Sequence, residues 1–188
     1  MASSLFALEV FLPIAPGNAL RANLHQTMVL APQAVTYEQK RQFYQGLTQL
    51  LIPAAPWFVY GNWDYTNEHA EAEAEYDKWC HGTIRDARER PLPAPGFVPT
   101  DQRYMFATLA FLLDRGGTCD QILEQATTLP PERLWLKQTF AMLLGIIPKL
   151  NFVSVKGDAA YLCPGMDEHG ISEAELRTEK YAYLHPLR

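Results

Sequence analysis

The chain has 188 residues, of which 48% are hydrophobic and 20% are charged, and its net charge is −5. This length can bury most of the apolar surface of one large domain or two small ones. The composition is typical of globular proteins and excludes a charge-rich disordered chain. No window approaches the roughly 20 uninterrupted apolar residues that a membrane-spanning helix needs, so we expect no membrane association.

The N-terminal stretch has no basic residue ahead of its first apolar run, which Glu9 and Pro13 interrupt. We therefore expect no signal peptide. The three cysteines, Cys80, Cys119 and Cys163, are odd in number and far apart in the sequence. This pattern favours free thiols in a reducing compartment, so we expect a cytoplasmic protein.

The first half of the chain alternates β-favouring runs with a helical pattern. Leu5–Leu12 and Leu24–Leu30 are predicted strands, separated by turn-forming residues. Thr36 and Gln39 have the spacing of a capping box, and apolar residues then recur at helical spacing until Pro53. The sequence predicts a helix there.

An aromatic run and an acidic helix follow. Trp57–Asp64 is aromatic and β-branched, which predicts a third strand. Thr66 or Asn67 then caps a predicted helix to about Arg90, whose first turns are rich in acids. Five prolines and glycines within 91–99 predict a stiff connector, so we place a subdomain boundary there.

The second half is predicted to contain three helices and a hairpin. Apolar residues over Met105–Leu113 indicate the first helix, and Thr118 with Gln121 has the spacing of a capping box for the second. Pro130 and Pro131 introduce a third helix with Phe140, Leu143, Leu144 and Ile147 on one face. Phe152–Val155 and Ala159–Leu162 are predicted strands, joined by a turn at Lys156, Gly157 and Asp158.

This order of elements resembles that of the winged-helix superfamily. The predicted fold class is therefore α+β, with an N-terminal α+β subdomain (1–90), the connector (91–99), a winged-helix-like subdomain (100–165) and a helical tail (166–188). Within the tail, Ser172 and Glu175 form another predicted capping box, opening a helix to about Tyr183.

The resemblance implies DNA binding as one function, because the third helix of winged-helix proteins commonly lies in the major groove. The residues of this chain that match that role are Arg133, Lys137, Gln138, Lys149 and Lys156. Four cations are few, since non-specific DNA affinity comes chiefly from lysine and arginine contacts with phosphates. A winged-helix transcription regulator is therefore the alternative rather than the preferred interpretation.

The second alternative is a metal-dependent enzyme with its ligands on the long acidic helix. His69, Glu73, Asp77 and His81 are spaced by four residues on the long helix and so project along one stripe. Imidazole and carboxylate groups at this spacing can hold a divalent ion, although one helix rarely completes a coordination sphere. Solvent-exposed charged residues on a surface helix explain the same pattern.

The preferred interpretation is a non-enzymatic interaction protein without a cofactor. Aromatic residues and acids follow one another without a cation until Lys78, and exposed rings beside acids favour a basic protein partner. An adaptor or a toxin-neutralising protein fits this description. The alternative is that both sheet faces are covered and the acids only keep the protein soluble. The predicted partner-binding residues are Trp57, Tyr60, Trp63, Asp64, Tyr65, Glu68, Glu71, Glu73 and Glu75.

Overall fold

A computed structural model describes residues 2–15, 19–89, 99–165 and 169–188, with the backbone alone over 82–89. The protein is mixed α and β. Its strands are β1 (Ser3–Pro13), β2 (Tyr60–Thr66), β3 (Arg103–Asp114), β4 (Val155–Cys163), β5 (Ile171–Ser172) and β6 (His185–Pro186). Its α-helices are α1 (Leu20–Met28), α2 (Tyr37–Ala54), α3 (His69–Glu89), α4 (Thr118–Thr127), α5 (Lys137–Ile146) and α6 (Glu173–Leu176).

The strands form one antiparallel sheet in the order β4-β3-β1-β2-β6, and β5 pairs with the start of β3. β1 and β3 pair along their whole length, from Ser3 opposite Asp114 to Pro13 opposite Tyr104. Both are buried on both sides, which explains their nearly continuous apolar sequences. The centre of the sheet is therefore made by one strand from each of the two predicted subdomains.

Helices cover both faces of the sheet. Alternate residues of β1, namely Phe6, Leu8 and Val10, pack against α1, α2, α4 and α5 in the main core, and we call this the helical face. The opposite face, which we call the α3 face, carries Leu5 and Ala7 against Ala72 of α3. Further along that face, Phe11 packs against Ile171 and Tyr181 of the C-terminal segment.

The topology repeats a unit of strand, helix, helix and strand. β1-α1-α2-β2 and β3-α4-α5-β4 have this order, and the adjacent antiparallel strands β1 and β3 relate the two units by an approximate two-fold axis. The contacts repeat as well, because α1 packs on β4 of the other unit and α4 packs on β2. Glu9 and Thr108 pair near the middle of the β1–β3 ladder, close to this axis.

Several local predictions are confirmed. Leu5–Leu12 lies in β1, and the Thr36 and Gln39 capping box opens α2 with both of its hydrogen bonds. The Ser172 and Glu175 capping box is also complete, although α6 ends at Leu176 instead of continuing to Tyr183. The long acidic helix is α3. The predicted connector lies outside the described residues except for Pro99.

Two predicted elements have the wrong type. Leu24–Leu30 was predicted as a strand but lies largely in α1, where Leu24 is the buried contact. Met105–Leu113 was predicted as a helix but lies in β3. A short run that is apolar on both sides fits either element, and pairing with β1 on one side and β4 on the other selects the strand.

In place of the predicted hairpin, Phe152–Ser154 form a 3₁₀ turn and Val155–Cys163 form the single strand β4. Lys156, Gly157 and Asp158 continue β4 rather than turning, with one register irregularity opposite Leu112 and Leu113. Each of the three has a partner elsewhere in the fold: Lys156 contacts Asp114, Gly157 lies under Tyr76, and Asp158 receives hydrogen bonds from Lys40 and Tyr44. These tertiary contacts outweigh the turn preference of the tripeptide.

The other elements of the second half differ in detail. Gly117, not Thr118, occupies the N-cap of α4, and the predicted third helix is a 3₁₀ turn at Pro131–Arg133 followed by α5. Residues 100–163 thus run strand, helix, helix, strand, which is not the order of three helices and a hairpin on which the winged-helix resemblance rests. The main core also contains residues from both sides of the predicted subdomain boundary.

Candidate interaction surface

The predicted partner-binding aromatics lie mostly within the fold. Trp63 and Tyr65 point to the helical face, where the Trp63 indole N–H donates to the Leu134 carbonyl at 3.1 Å. The Tyr65 hydroxyl donates to Asp120 at 2.7 Å, and its pKa is raised by burial and by this bond. Both rings therefore stabilise the contact between β2 and the helices.

The remaining two rings differ from each other in exposure. Tyr60 packs on the α3 face beside Phe11 and Phe106. Trp57 lies in the 3₁₀ turn after α2 and is 58% exposed. Trp57 alone among the four predicted aromatics is thus an exposed ring, because the structure covers both faces of the sheet.

The predicted acids, in contrast, lie mainly on the surface. Glu68, Glu71 and Glu73 are exposed, and Glu75 is half-buried in an ion pair with Lys78. Asp64 is half-buried at the edge strand β2, and its pKa is raised by burial first and then by the nearby carboxylates of Glu75 and Glu71. The outer side of α3 is therefore a negative surface.

The inner side of α3 explains which acids point outward. Ala72 is fully buried against the sheet, and Tyr76 and Trp79 pack beside it. Glu71 and Glu75 approach Asp64, so they lie on the flank of α3 toward β2. Because successive helical residues are about 100° apart, Glu73 and Asp77 lie on the other flank, toward β4.

The histidine and carboxylate ladder is used in local contacts. The Ser3 amide donates to His69 Nδ1 at 3.1 Å, and the Ser3 hydroxyl donates to Glu73 at 3.2 Å. His81 Nδ1 lies 2.9 Å from the Asp77 carbonyl oxygen. Within the described part of the chain, no group of three or more His, Cys, Asp or Glu residues could hold a metal ion.

The residues of the DNA-binding alternative are scattered over several elements. The Lys137 ammonium donates to the Pro56 carbonyl at 2.9 Å, and Lys156 lies 3.3 Å from the Asp114 carboxylate. Arg133, Gln138 and Lys149 are exposed at a 3₁₀ turn, the first turn of α5 and a second 3₁₀ turn. Two of the four cations are thus engaged within the protein.

A polar row that was not predicted from the sequence crosses the α3 face. The strand register places Tyr161, Thr108, Glu9 and Asn62 side by side on β4, β3, β1 and β2. Glu9 is only 3% exposed, and its carboxyl group accepts hydrogen bonds from Thr108 at 2.5 Å and from Tyr183 at 2.6 Å. The only sequence signal is a single glutamate within an otherwise apolar strand.

The row continues into α3 through Cys80. Burial raises the pKa of the Cys80 thiol, which is hydrogen-bonded to Tyr76 and Tyr161. Burial and the neighbouring Cys80 raise the pKa of Tyr161 to about 12. The hydrogen bond from Tyr183 to Glu9 connects the C-terminal segment to the central strand β1. The row therefore contacts both elements that cover the α3 face, namely α3 and the C-terminal segment.

Replacing Thr108 with valine tests how much the polar row stabilises the fold. The substitution keeps the shape of the side chain but removes the hydroxyl that donates to Glu9. We expect the free energy of unfolding to fall by about 1–3 kcal/mol, because a buried carboxyl group loses a partner. Urea denaturation measures this, and Thr108→Ser is the control that keeps the hydroxyl. Equal stability of the valine variant and the wild type would mean that this hydrogen bond does not stabilise the fold.

A separate groove lies between α1 and α2. It has a volume of about 320 Å³ and is lined by Asn23, Gln26, Thr27, Leu30, Gly46, Gln49 and Leu50. Exposed apolar side chains lie along the same part of the chain, including Val29, Val35 and Tyr37. None of these lining residues, all from the described part of the chain, is charged.

No protein-family model, curated protein or solved structure matches this chain. In addition, no α-helix among the described residues is both long enough and apolar enough to span a membrane. Function must therefore be inferred from the surface itself.

Proposed function

We propose that this protein is a non-enzymatic binding protein, of the adaptor or toxin-neutralising kind, that holds a basic segment of a protein partner on the outer side of α3. The observation that carries the proposal is the set of exposed carboxylates at Glu68, Glu71, Glu73 and Asp77, which border the outer side of α3 on both of its flanks. Lys78 is the only lysine or arginine between Glu68 and His81, and it is paired with Glu75.

The packing of α3 supports this proposal. Ala72 anchors the helix on the sheet centre, so the carboxylates are presented from a backbone whose inner side is fixed. Fixed charges steer an oppositely charged partner and increase its association rate, and the net charge of −5 acts in the same direction. Trp57 is exposed but belongs to a different element, so the proposal does not depend on it.

Charge reversal on α3 tests the proposal. The triple variant Glu68→Lys, Glu71→Lys and Glu73→Lys should bind a lysine- and arginine-rich peptide at least about tenfold more weakly, because each exposed ion pair contributes up to about 1 kcal/mol. Isothermal titration calorimetry at low and moderate salt measures this, and wild-type affinity should fall as salt rises.

The matched control carries the same change of charge elsewhere. Glu38, Glu132 and Glu179 are exposed on α2 and on two 3₁₀ turns, so replacing them by lysine changes the net charge equally. We expect this variant to retain most of the wild-type affinity. Equal losses in the two variants would show that net charge alone attracts the peptide, and the proposal would then be wrong.

A further inference from the structure

β4 is an edge strand with one open side. The sheet order ends at β4, and among the described residues eight of its nine residues pair with β3 while no further strand pairs with its other side. In an antiparallel pair, alternate residues direct their N–H and C=O groups away from the partner. The outer side of β4 therefore presents a row of main-chain donors and acceptors.

The usual protection of an edge strand is weak here. Natural edges are blocked by charged side chains, prolines or short length. β4 has no proline, and both of its charged residues are engaged within the fold. Lys156 donates to the Ala2 carbonyl and the Ser3 hydroxyl, and Asp158 is bound by Lys40 and Tyr44. The opposite edge differs, because β6 covers the start of β2 and the half-buried Asp64 lies further along it.

Helices flank the open edge above and below. On the helical face, Lys40 and Tyr44 of α2 reach Asp158, and α1 packs against β4. On the α3 face, Tyr76 lies against Gly157 and Cys80 is hydrogen-bonded to Tyr161. The edge thus lies in a slot whose α3 side carries Glu73 and Asp77.

We propose that the basic segment of the partner binds in this slot as an extended strand, hydrogen-bonded to the outer edge of β4. Its alternate lysine or arginine side chains face Glu73 and Asp77, and the side chains between them face α1 and α2. This inference rests on the proposed function for the charge of the partner and adds the conformation in which the partner binds.

The charge of the flank selects a basic strand over a second copy of this chain. Pairing two β4 edges would bring two α3 helices with their acids toward each other, and each copy carries a net charge of −5. Like charges brought together in this way oppose association. A strand with lysine on alternate positions instead neutralises the flank.

Amide hydrogen exchange followed by NMR, with a nine-residue peptide of alternating lysine and valine, tests this inference. In the free protein, the β4 amides that do not bond to β3 should exchange rapidly. Adding the peptide should slow them at least about tenfold at every second residue of β4, because only these amides gain a new acceptor. The double variant Glu73→Lys and Asp77→Lys should weaken the peptide at least about tenfold.

A peptide control separates strand pairing from charge attraction. The same peptide with its alternate amides N-methylated keeps the charge but cannot complete the ladder, so it should bind much more weakly. If it binds equally well, or if the peptide binds without alternating protection of β4, strand pairing is wrong while the proposed function stands.

Two further outcomes are also decisive. If the peptide shows no charge-dependent binding to the wild-type protein, the proposed function and the inference both fail. If alternating protection is already present without peptide and increases with protein concentration, a second copy occupies the edge and the inference is overturned.

Discussion

Replacing Phe111 with alanine is expected to lower the free energy of unfolding by about 3–5 kcal/mol, the usual loss for a buried aromatic residue. Phe111 is fully buried on the helical face of β3. Its ring centroid lies 4.9 Å from that of Tyr44 and 6.4 Å from that of Phe152, with Phe6 at 6.5 Å. The alanine variant therefore leaves a cavity among three other rings, and urea denaturation measures the loss.

Leu112→Ala is the matched control. Leu112 is the next residue along β3, points to the α3 face and is half-buried, so its truncation should have less than half the effect. The comparison also tests which of these two neighbouring side chains the strand β3 places in the main core. A larger loss at Leu112 than at Phe111 would contradict the position of β3.

Replacing Gly61 with alanine should be the second large effect. A Cβ atom at Gly61 would lie 2.6 Å from the Phe140 ring and 3.0 Å from the Glu9 carbonyl oxygen. Phe140 is fully buried in the core, so it cannot move away without displacing its neighbours. We expect the free energy of unfolding to fall by about 1–3 kcal/mol, the usual range for an overpacked core.

A double-mutant cycle identifies the contact responsible. Phe140→Leu removes the ring atoms that an alanine at position 61 would meet, so the double variant should be less destabilised than the sum of the two single variants. Residues in direct contact typically show interaction energies of about 0.5–3 kcal/mol in such cycles. Strict additivity would mean that the Phe140 ring is not the obstacle. Gly145→Ala is a useful comparison, since its nearest neighbour is 4.0 Å away.

Most elements with a local cause are predicted well from the sequence, although the capping box at Thr118 is not, because Gly117 occupies the N-cap of α4. The capping boxes at Thr36 and Ser172 depend on residues three positions apart, and both are present. β3 depends instead on β1, which is about 100 residues away in the chain. No local pattern distinguishes a strand that is buried on both faces from a short apolar helix. The segment Met105–Leu113 was therefore predicted wrongly because its strand structure depends on pairing with a distant part of the chain.

The same distinction applies to the candidate surface. The outward acids of α3 follow from helical periodicity, so Glu68, Glu71 and Glu73 could be placed on the surface from the sequence. The exposure of Trp63 could not, because it depends on Leu134 and Trp135, which lie about 70 residues further on. The open edge of β4 was hidden as well, since the predicted turn divided that strand in two.

The approximate two-fold arrangement affects how the protein can be divided for experiments. A fragment ending at the predicted connector would keep β1 but lose β3, and with it the longest strand pairing in the protein. One side of β1 would then have no strand to pair with. The complementary fragment would leave unpaired the side of β3 that pairs with β1. Each half would then offer the other a long apolar strand, and mixing the two polypeptides should restore the native pairing that neither reaches by itself.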